Sequence, residues 1–303
     1  MSFCGQLDGN LTALENLVAV VVRVEGDTLR VRGEPGAVAS AAEILQRMRA
    51  AVERGAQLTP DDVALAARET LDKSAPAAHP KTLIATQRGK EIRPRTAGQR
   101  AFVDAIEAHT LTVGIGPAGT GKTFLATVMA VRALRNREVS RIILSRPAVE
   151  AGEKLGFLPG DFKEKVDPYL RPLYDALYEL LDEGVVARFL ERGTIEVAPL
   201  AYMRGRTLSD AFVILDEAQN ATRLQLKMFL TRLGGSSKMI VNGDVTQIDL
   251  PRGVRSGLPD MPNLLEGMED AAVVTLDESD VVRHPLIARL IKAYARLSGP
   301  DSA

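Results

Sequence analysis

The last two thirds of the chain alternate short apolar runs with longer stretches of helical periodicity. The runs are five or six residues long and mostly apolar, whereas the stretches between them repeat an apolar residue every three to four positions. Strands that alternate with helices are typical of a parallel sheet covered by helices on both faces. The predicted strands are 111–115, 141–145, 194–198, 211–216, 238–242 and 272–276.

The beginning of the chain has a different order of elements. A helical apolar face at 11–18 precedes two alternating runs, which are joined by a Glu-Gly-Asp-Thr turn at 25–28. A second amphipathic stripe follows at 38–52, and a Pro with two acids in the first turn starts a short helix at 59–71. We therefore predict a small α+β domain over residues 1–75.

A basic segment separates this domain from the rest of the chain. Residues 76–100 contain a single acid, Glu91, against six basic residues: Lys81, Arg88, Lys90, Arg93, Arg95 and Arg100. Its Pro and Ala content predicts a linker at 76–94, followed by a main domain at 95–297 and a tail at 298–303. The whole chain carries a net charge of only −1, so its overall field indicates neither nucleic acid nor membrane as a partner.

Cysteine content and the apolar runs indicate the compartment. Cys4 is the only cysteine among the 303 residues, which excludes a disulfide framework within one chain. The N-terminus lacks the pattern of a signal peptide, and no apolar run is long enough to span a bilayer. We expect a cytoplasmic protein with no membrane partner.

The strongest chemical signal lies between the first predicted strand of the main domain and the helix after it. The segment reads Gly116-Pro117-Ala118-Gly119-Thr120-Gly121-Lys122-Thr123, and Phe124 follows it. It fits the phosphate-loop pattern G-x-x-x-x-G-K-[ST], in which glycines turn backbone N–H groups toward phosphates at a helix N-terminus. We predict that these nine residues bind ATP, with Lys122 on the β- and γ-phosphates and the Thr123 hydroxyl on Mg²⁺.

Two adjacent carboxylates, Asp216 and Glu217, follow another buried strand. An acidic pair after a strand is by itself often a helix start, but downstream of a phosphate loop it suits nucleotide chemistry. Asp216 is then expected to hold Mg²⁺ and Glu217 to polarise an attacking water. The pair favours hydrolysis of ATP over sensing of a bound nucleotide.

Further polar residues fall near predicted strand ends and helix starts. Gln247 or Asn242 can contact the γ-phosphate or its attacking water and so sense the loss of the phosphate. The alternative is a Gly-Asp turn with a solvated Gln. Arg283 is a candidate arginine finger, in cis or from a neighbouring subunit, or an ordinary surface residue. Gln99 can cap the helix that starts at Thr96, and it can also hydrogen-bond the adenine edge, since the two roles do not exclude each other.

Arg146 ends the second predicted strand of the main domain, directly before Pro147. The proline keeps the backbone extended at this position. The arginine can contact the nucleotide or a nucleic-acid phosphate, or it can be solvated. It is included among the expected nucleotide-binding residues.

These motifs together resemble the PhoH family of phosphate-loop ATPases over about residues 95–297. The segments that carry the resemblance are the phosphate loop, Ser145-Arg146-Pro147-Ala148-Val149-Glu150-Ala151-Gly152-Glu153, Arg204-Gly205-Arg206-Thr207-Leu208, Leu215-Asp216-Glu217-Ala218-Gln219-Asn220, and Asn242-Gly243-Asp244 with Gln247. The resemblance implies an α/β P-loop NTPase fold of the RecA and superfamily 1 helicase type. It places Gln99 at the adenine-reading glutamine, Asp216-Glu217 at the second helicase motif, and Gly243-Asp244 with Gln247 at the third.

The front domain is similar to a K-homology RNA-binding domain, in which a Gly-bounded loop clamps backbone phosphates. The loop at 5–10 departs from the G-x-x-G pattern and carries Asp8 without an adjacent Lys. RNA binding and protein contact therefore both stay open for this domain.

The main domain holds one phosphate loop and one Asp-Glu pair, whereas superfamily 1 helicases close two cores around one nucleotide. The PhoH resemblance implies a ring of subunits, commonly six, and partnership with a YbeY-type endoribonuclease.

We expect an RNA-associated ATPase or helicase in RNA processing. RNA is expected to contact the basic residues at 81–100, an irregular insertion at 152–175, and Arg204 and Arg206. The alternative is a regulatory ATPase switch that acts on a protein partner; a small-molecule kinase is disfavoured by the Asp-Glu pair.

Overall fold

The computed structural model describes residues 3–5, 8–26, 28–53, 58–71, 82–86, 89–147 and 162–282. The chain divides into two compact units, Met1–His79 and Pro80–Ala303. Among the described residues, no helix combines the length and the apolar character needed to cross a membrane.

The first unit contains helices and one antiparallel hairpin, in the predicted order. Its elements are α1 (Gly9–Val18), β1 (Val21–Glu25), β2 (Thr28–Arg32), α2 (Pro35–Glu53) and α3 (Pro60–Leu71). Leu14, Ile44 and Met48 are among the buried side chains of its own core. The likeness to a K-homology domain stays a prediction.

The second unit begins with a short hairpin and continues as alternating helices and strands. Its elements are β3 (Ile84–Ala85), β4 (Glu91–Ile92), α4 (Ala97–Ala108), β5 (Leu111–Ile115), α5 (Lys122–Arg135), β6 (Arg141–Arg146), α6 (Phe162–Leu180), α7 (Glu183–Glu191), β7 (Ile195–Pro199), β8 (Ala211–Leu215), α8 (Arg223–Leu230), β9 (Lys238–Gly243), α9 (Met261–Leu265) and β10 (Ala271–Thr275). Short 3-10 helices lie at Leu200–Met203, Ala218–Asn220, Leu258–Asp260 and Glu278–Asp280. Each of the six predicted strands is confirmed within one residue at either end.

Within the described part of this unit, six parallel strands form one sheet in the order β10-β5-β9-β8-β6-β7. Strand β9 lies between the strand that leads into the phosphate loop and the strand that leads into Asp216 and Glu217. Ile115 pairs in register with Gly243, and Leu215 with Val241. The loops that follow β5, β9 and β8 therefore meet at one edge of the sheet.

Alternate residues of these strands enter two separate cores, which confirms the prediction of helices on both faces. Phe212 and Ile214 of β8 pack with α4, α5, α6 and α7 on one face. Val213 and Leu215 pack with α8 and α9 on the other face. The central strand is thus buried on both sides, as its unbroken apolar sequence predicts.

The expected linker at 76–94 is partly folded. Strands β3 and β4 pair antiparallel, and the side chains of Leu83, Ile84 and Ile92 are buried in the core of the second unit. Lys90 forms an ion pair with Glu179 of α6 at 3.1 Å. The linker prediction is therefore wrong for residues 82–86 and 89–94, where Leu83, Ile84 and Ile92 anchor the chain to the core.

The expected irregular insertion at 152–175 is also corrected, because α6 starts at Phe162. Leu170, Leu173 and Leu177 repeat at helical spacing and are buried against the sheet. Prolines within the helix gave the segment its irregular appearance in the sequence. Residues 152–161 of the insertion lie outside the described residues.

Candidate nucleotide site

The phosphate loop connects β5 to the N-terminus of α5. Gly119 and Gly121 adopt φ angles of +87° and +83°, a left-handed backbone that favours glycine. The Thr120 hydroxyl donates to the carbonyl of Pro117 at 2.9 Å and is buried within the loop. The sequence pattern thus forms the expected compact turn at the start of a 14-residue helix.

Lys122, the first residue of α5, folds back into the loop. Its Nζ donates to the carbonyls of Gly116 at 2.6 Å and Pro117 at 2.8 Å, and only 8% of the residue is exposed. Burial lowers the pKa of Lys122, while the nearby charges of Asp244 and Asp216 oppose that shift. The ammonium group is therefore held inside the loop, among carboxylates that favour its charged form.

Thr123 and Asp216 join the loop to the end of β8. The Thr123 hydroxyl donates to Asp216 Oδ1 at 2.6 Å across 93 residues of sequence. Burial raises the pKa of Asp216, which is 4% exposed, and the hydrogen bond from Thr123 opposes that rise. A hydroxyl and a carboxylate that meet in this way form the oxygen-rich set that Mg²⁺ prefers.

Glu217 lies beside Asp216 in an uncommon backbone conformation. Its φ of +53° is left-handed, a conformation that costs a non-glycine residue free energy and directs its carboxylate toward β6. An Arg146 guanidinium nitrogen lies 3.0 Å from Glu217 Oε1, and Gln219 Nε2 donates to Glu217 Oε2. Both carboxylate oxygens thus have a partner.

Arg146 contacts the predicted water-polarising residue, and its other terminal nitrogen donates to the Tyr169 carbonyl at 3.1 Å. The sequence placed Arg146 at this edge of the sheet but did not indicate its pairing with Glu217. That pairing depends on β6 and β8 being neighbours in the sheet, which the chain order alone does not determine.

Gln219 and Asp244 extend the site toward the loop. Gln219 is fully buried and its Oε1 accepts from the Asp244 backbone N–H at 3.0 Å. Asp244 Oδ2 accepts from the Ala118 N–H at 3.1 Å. Hydrogen bonds therefore run from Glu217 through Gln219 and Asp244 to the phosphate loop. Sequence reasoning gave Gln219 no role, although an amide two residues after the acidic pair was an available signal.

Asp244 is held as a carboxylate in this network. Burial alone would raise its pKa, but hydrogen bonds from Thr246 and Ala118, with the charge of Lys122, together lower the pKa. The Thr246 hydroxyl donates to Asp244 Oδ1 at 2.6 Å. The residue thus accepts from two separate segments.

Gln247, the predicted sensor, lies on the exposed side of this turn. Its backbone N–H donates to the Asp244 carbonyl at 3.1 Å, and its side chain makes no hydrogen bond among the described residues. The structure therefore brings Asp244 to the loop and leaves Gln247 outside the network. Contact of Gln247 with a phosphate stays a prediction.

Gln99 is buried next to the loop. Its backbone N–H donates to the capping Thr96 hydroxyl at 3.1 Å, its Oε1 accepts from the Arg95 N–H at 2.7 Å, and its Nε2 donates to the Thr120 carbonyl at 2.9 Å. The cap interpretation is right for the backbone, whereas the side chain links the start of α4 to the phosphate loop. Reading of an adenine edge by Gln99 stays a prediction.

Gln99 also lines a pocket of about 230 Å³. Phe124 lines it, so this predicted nucleotide-binding residue borders the loop as expected from its position. The remaining lining residues are Lys90, Glu91, Ile92, Arg93, Arg95, Gln99, Gly119, Gly121, Leu125, Glu179 and Val282. Basic, acidic and apolar side chains thus surround a space next to the loop glycines.

The chain returns to the loop just before Arg283. The Val282 N–H donates to the Gly119 carbonyl at 3.1 Å. Asp280, which is buried, accepts from the Thr96 hydroxyl at 2.5 Å and from the Gly98 N–H at 3.0 Å. Arg283 itself lies outside the described residues, and its role as a finger stays a prediction.

Asn242 gives an independent indication that a polar ligand fits here. It pairs with Gly114 of β5 and follows Val241, the partner of Leu215, so it lies level with Asp216. Its Nδ2 and Oδ1 are buried without a partner among the described residues. Such unsatisfied groups are rare and call for a water or ion. The donor set around Thr123 and Asp216 thus fits hydrated Mg²⁺ held with phosphates.

Comparison with known proteins assigns the family. The model of the PhoH-like protein family matches residues 91–295. The PhoH-like protein of Mycobacterium tuberculosis (strain ATCC 25618 / H37Rv) is 52% identical over 300 residues, which cover 98% of this chain and 85% of the relative. The PhoH-like protein of Bacillus subtilis (strain 168) is 50% identical and covers 97% of this chain and 93% of its own length. Protein PhoH of Escherichia coli (strain K12) is 48% identical over 67% of this chain and 58% of its own length. The chain belongs to the PhoH-like family, as its motifs predicted.

Two solved structures are more distant. The SWI2/SNF2 ATPase core of Sulfolobus solfataricus in complex with double-stranded DNA aligns with a TM-score of 0.39 at 11% identity, over 68% of this chain and 52% of its own. The Pif1 helicase of Candida albicans aligns with a TM-score of 0.35 at 14% identity, over 67% of this chain and 43% of its own. This chain thus spans about half the length of either structure.

Proposed function

We propose that this PhoH-like protein binds ATP with Mg²⁺ and hydrolyses it. The observation that carries the proposal is the 2.6 Å hydrogen bond from Thr123 to Asp216, with Glu217 as the next residue. It unites a phosphate loop, a candidate metal-binding carboxylate and a candidate base at one sheet edge.

The loop residues have distinct roles in this proposal. Gly119, Thr120 and Gly121 would present backbone N–H groups to the phosphates, and Lys122 would exchange its contacts with the loop carbonyls for β- and γ-phosphate oxygens. Thr123 and Asp216 would hold Mg²⁺. The bound cation would neutralise charge that develops on the phosphates.

Gln99 and Phe124 both line the pocket and would face the nucleoside. Nucleobases bind well against an aromatic or apolar surface with a few polar groups. Phe124 offers such a surface. The Gln99 amide would hydrogen-bond the exocyclic edge of adenine if it gave up its hydrogen bond to the Thr120 carbonyl.

Glu217 would orient the water that attacks the γ-phosphate. Its carboxylate forms an ion pair with Arg146 at 3.0 Å, so Arg146 would have to turn to a phosphate to release it. Arg283, one residue beyond the contact of Val282 with the loop, would complete the positive charge around the phosphates. Gln247 would sense the γ-phosphate only after the turn at Asp244 moves.

ATP hydrolysis would drive work on RNA. The expected work is unwinding or translocation in RNA processing. The basic residues near the pocket, including Lys90, Arg93 and Arg95, support this proposal because phosphate backbones bind to Lys and Arg. Lys90 pairs with Glu179 and Arg93 with Glu91, so these two would have to exchange a carboxylate for a phosphate. Arg206 is a weaker candidate, since it forms two hydrogen bonds with Glu196, at 2.6 and 2.7 Å.

A homo-oligomeric ring, in the expected case a hexamer, would supply the second face of the nucleotide site. A single core cannot close around a nucleotide by itself, so a neighbouring subunit would contribute that face and the finger in trans. Native mass spectrometry tests this idea: a ring mass is expected, and a monomer that hydrolyses ATP at full rate would contradict it.

The second candidate function is a cytoplasmic regulatory ATPase that switches a protein partner, such as a YbeY-type endoribonuclease. The near-neutral charge of −1 and an aromatic content of 4% favour it, because single-strand binders commonly stack bases on aromatic side chains.

Steady-state ATP hydrolysis with and without single-stranded RNA separates the two candidates. An RNA-directed ATPase should be stimulated at least about tenfold, since RNA would favour the closed, productive site. Hydrolysis that is robust but indifferent to RNA would instead support the protein switch.

A further inference from the structure

One face of the β1–β2 hairpin in the first unit carries three arginines. Arg23 lies directly opposite Arg30 in the antiparallel register, and Arg32 lies opposite Val21. Because side chains alternate between the faces of a strand, these residues project from the same side. All three arginines are exposed. We call Arg23, Arg30 and Arg32 the arginine face.

The opposite face of the hairpin is fixed by packing. Val22 pairs with Val31, and both contact the apolar core that α1 and α2 form. The register therefore cannot slip by one residue without exposing this apolar set. The arginines are held on the solvent side by the same packing.

The arginine face is unfavourable in the isolated protein. Like charges directly opposite each other on a strand pair are destabilising. Arg30 has a partner in Glu25 at 3.2 Å, but both side chains are about half exposed, so the pair contributes little. Arg23 and Arg32 have no side-chain partner within the described residues. Residues 1–75 otherwise favour acid, with 8 Lys and Arg against 11 Asp and Glu.

We propose that the arginine face binds the phosphate backbone of single-stranded RNA, a choice of ligand that rests on the proposed RNA-associated function. Guanidinium groups bind phosphate through two parallel hydrogen bonds. Arg30 and Arg32 are two residues apart on one strand, about 6.8 Å, and Arg23 faces Arg30 across the pair, so the three can contact successive phosphates. No aromatic residue occurs in either strand, so binding should be independent of base sequence.

The glycine-bounded loop before α1 is the competing surface in the same unit. It carries Asp8, and the Asn10 amide donates to the carbonyls of Phe3 at 3.0 Å and Leu58 at 3.2 Å. Asn10 is fully buried, so its side chain is committed to holding this segment in place. The arginine face has the positive charge that this segment lacks.

The test uses the full chain and a fluorescein-labelled 20-nucleotide polyuridine, titrated by fluorescence anisotropy between 50 and 200 mM salt. The double variant Arg23→Gln with Arg32→Gln removes the two unpaired arginines. The matched control, Arg47→Gln with Arg49→Gln, removes the same charge from α2, where both arginines have a glutamate partner. Both variants should keep the thermal unfolding midpoint of the unaltered chain.

The arginine-face variant should bind about tenfold more weakly at 50 mM salt, and its log–log salt slope should be shallower by about 1.4, for two lost phosphate contacts. The control should stay within about twofold of the unaltered chain. Glu25→Gln frees Arg30 and should tighten binding by about twofold.

Two results would overturn the inference. If the unaltered chain binds RNA and the arginine-face variant binds it equally well, the RNA-associated function survives and the hairpin is not its surface. If the unaltered chain does not bind RNA but its binding to phosphatidylserine vesicles depends on Arg23 and Arg32, the ligand is an anionic membrane surface. In that case the proposed action on RNA fails as well, while ATP hydrolysis is measured independently.

Discussion

Asp216 is a costly residue for the folded protein. Burial raises the pKa of its carboxyl group, and the neighbouring charge of Glu217 adds to that rise. Because its pKa is higher in the folded state than in the unfolded one, the contribution of Asp216 to stability falls as the pH rises above the ordinary Asp value. A buried carboxylate that destabilises the fold beside a phosphate loop is therefore a candidate functional residue.

Asp216→Asn should therefore stabilise the nucleotide-free protein at pH 7, because it removes a buried charge. Asn can still accept the hydrogen bond from Thr123. The gain should shrink as the pH is lowered through the raised folded-state pKa of Asp216, and it should vanish below the ordinary Asp pKa, where the aspartate is protonated in both states. Urea unfolding across this pH range measures the difference, and Asp175→Asn, an exposed substitution on α6, is the control. A loss of stability at pH 7 would mean that the buried carboxylate is already compensated.

The role of a single residue was predictable where the residue belongs to a short continuous motif in the sequence. Lys122 and Thr123 belong to one short motif, and Asp216 and Glu217 to one strand end. The partners of Glu217 and Thr96 were not predictable in this way. Arg146 reaches Glu217 through strand order, and the Thr96 hydrogen bond to Asp280 spans 184 residues.

At the scale of elements, the N-terminus of α4 is tied to the 3-10 helix Glu278–Asp280. Asp280 accepts from the backbone of Gly98 at 3.0 Å, close enough that a Cβ on Gly98 would overlap its carboxylate. This contact positions α4, which carries Gln99, against the segment that continues through Val282 to the phosphate loop. The two elements thus support the loop from the same side.

Gly98→Ala should destabilise the protein by about 1–3 kcal/mol through this overlap, although alanine is normally the better helix residue. Gly184→Ala in α7 is the matched control, because nothing lies near its Cβ position. The control should be neutral or stabilising by up to about 1 kcal/mol. Denaturant unfolding of both variants decides the matter, and an equal gain for both would show that Asp280 does not constrain α4.

Elements were predictable where the hydrophobic period was clear. The strands of the main sheet are buried on both faces and read as nearly continuous apolar runs, so their bounds followed from the sequence. The prolines of α6 and the two-residue strands β3 and β4 gave no such signal. In both cases burial against the sheet outweighs local propensity, which a single sequence does not reveal.

At the scale of the whole molecule, the family match and the unit boundaries separate two parts of the chain. The PhoH-like family model begins at residue 91, whereas the relatives at about half identity cover 97–98% of the chain and so include the first unit. The fold class and the family were predictable because the motifs lie at the ends of apolar runs that already predict strands. The proposed ligand of the arginine face was not predictable, because these three arginines belong to no recognisable motif.

The central claim is that one sheet edge hydrolyses ATP through Glu217. The most direct measurement is steady-state hydrolysis by Glu217→Gln at saturating ATP and Mg²⁺, with nucleotide binding measured in parallel. Glu183→Gln, an exposed change at the start of α7, is the control.

The glutamine should preserve nucleotide affinity within about threefold and lower the hydrolysis rate by about a hundredfold or more, since it cannot act as a base. Hydrolysis by Glu217→Gln that stays within about threefold of the unaltered chain would contradict the account.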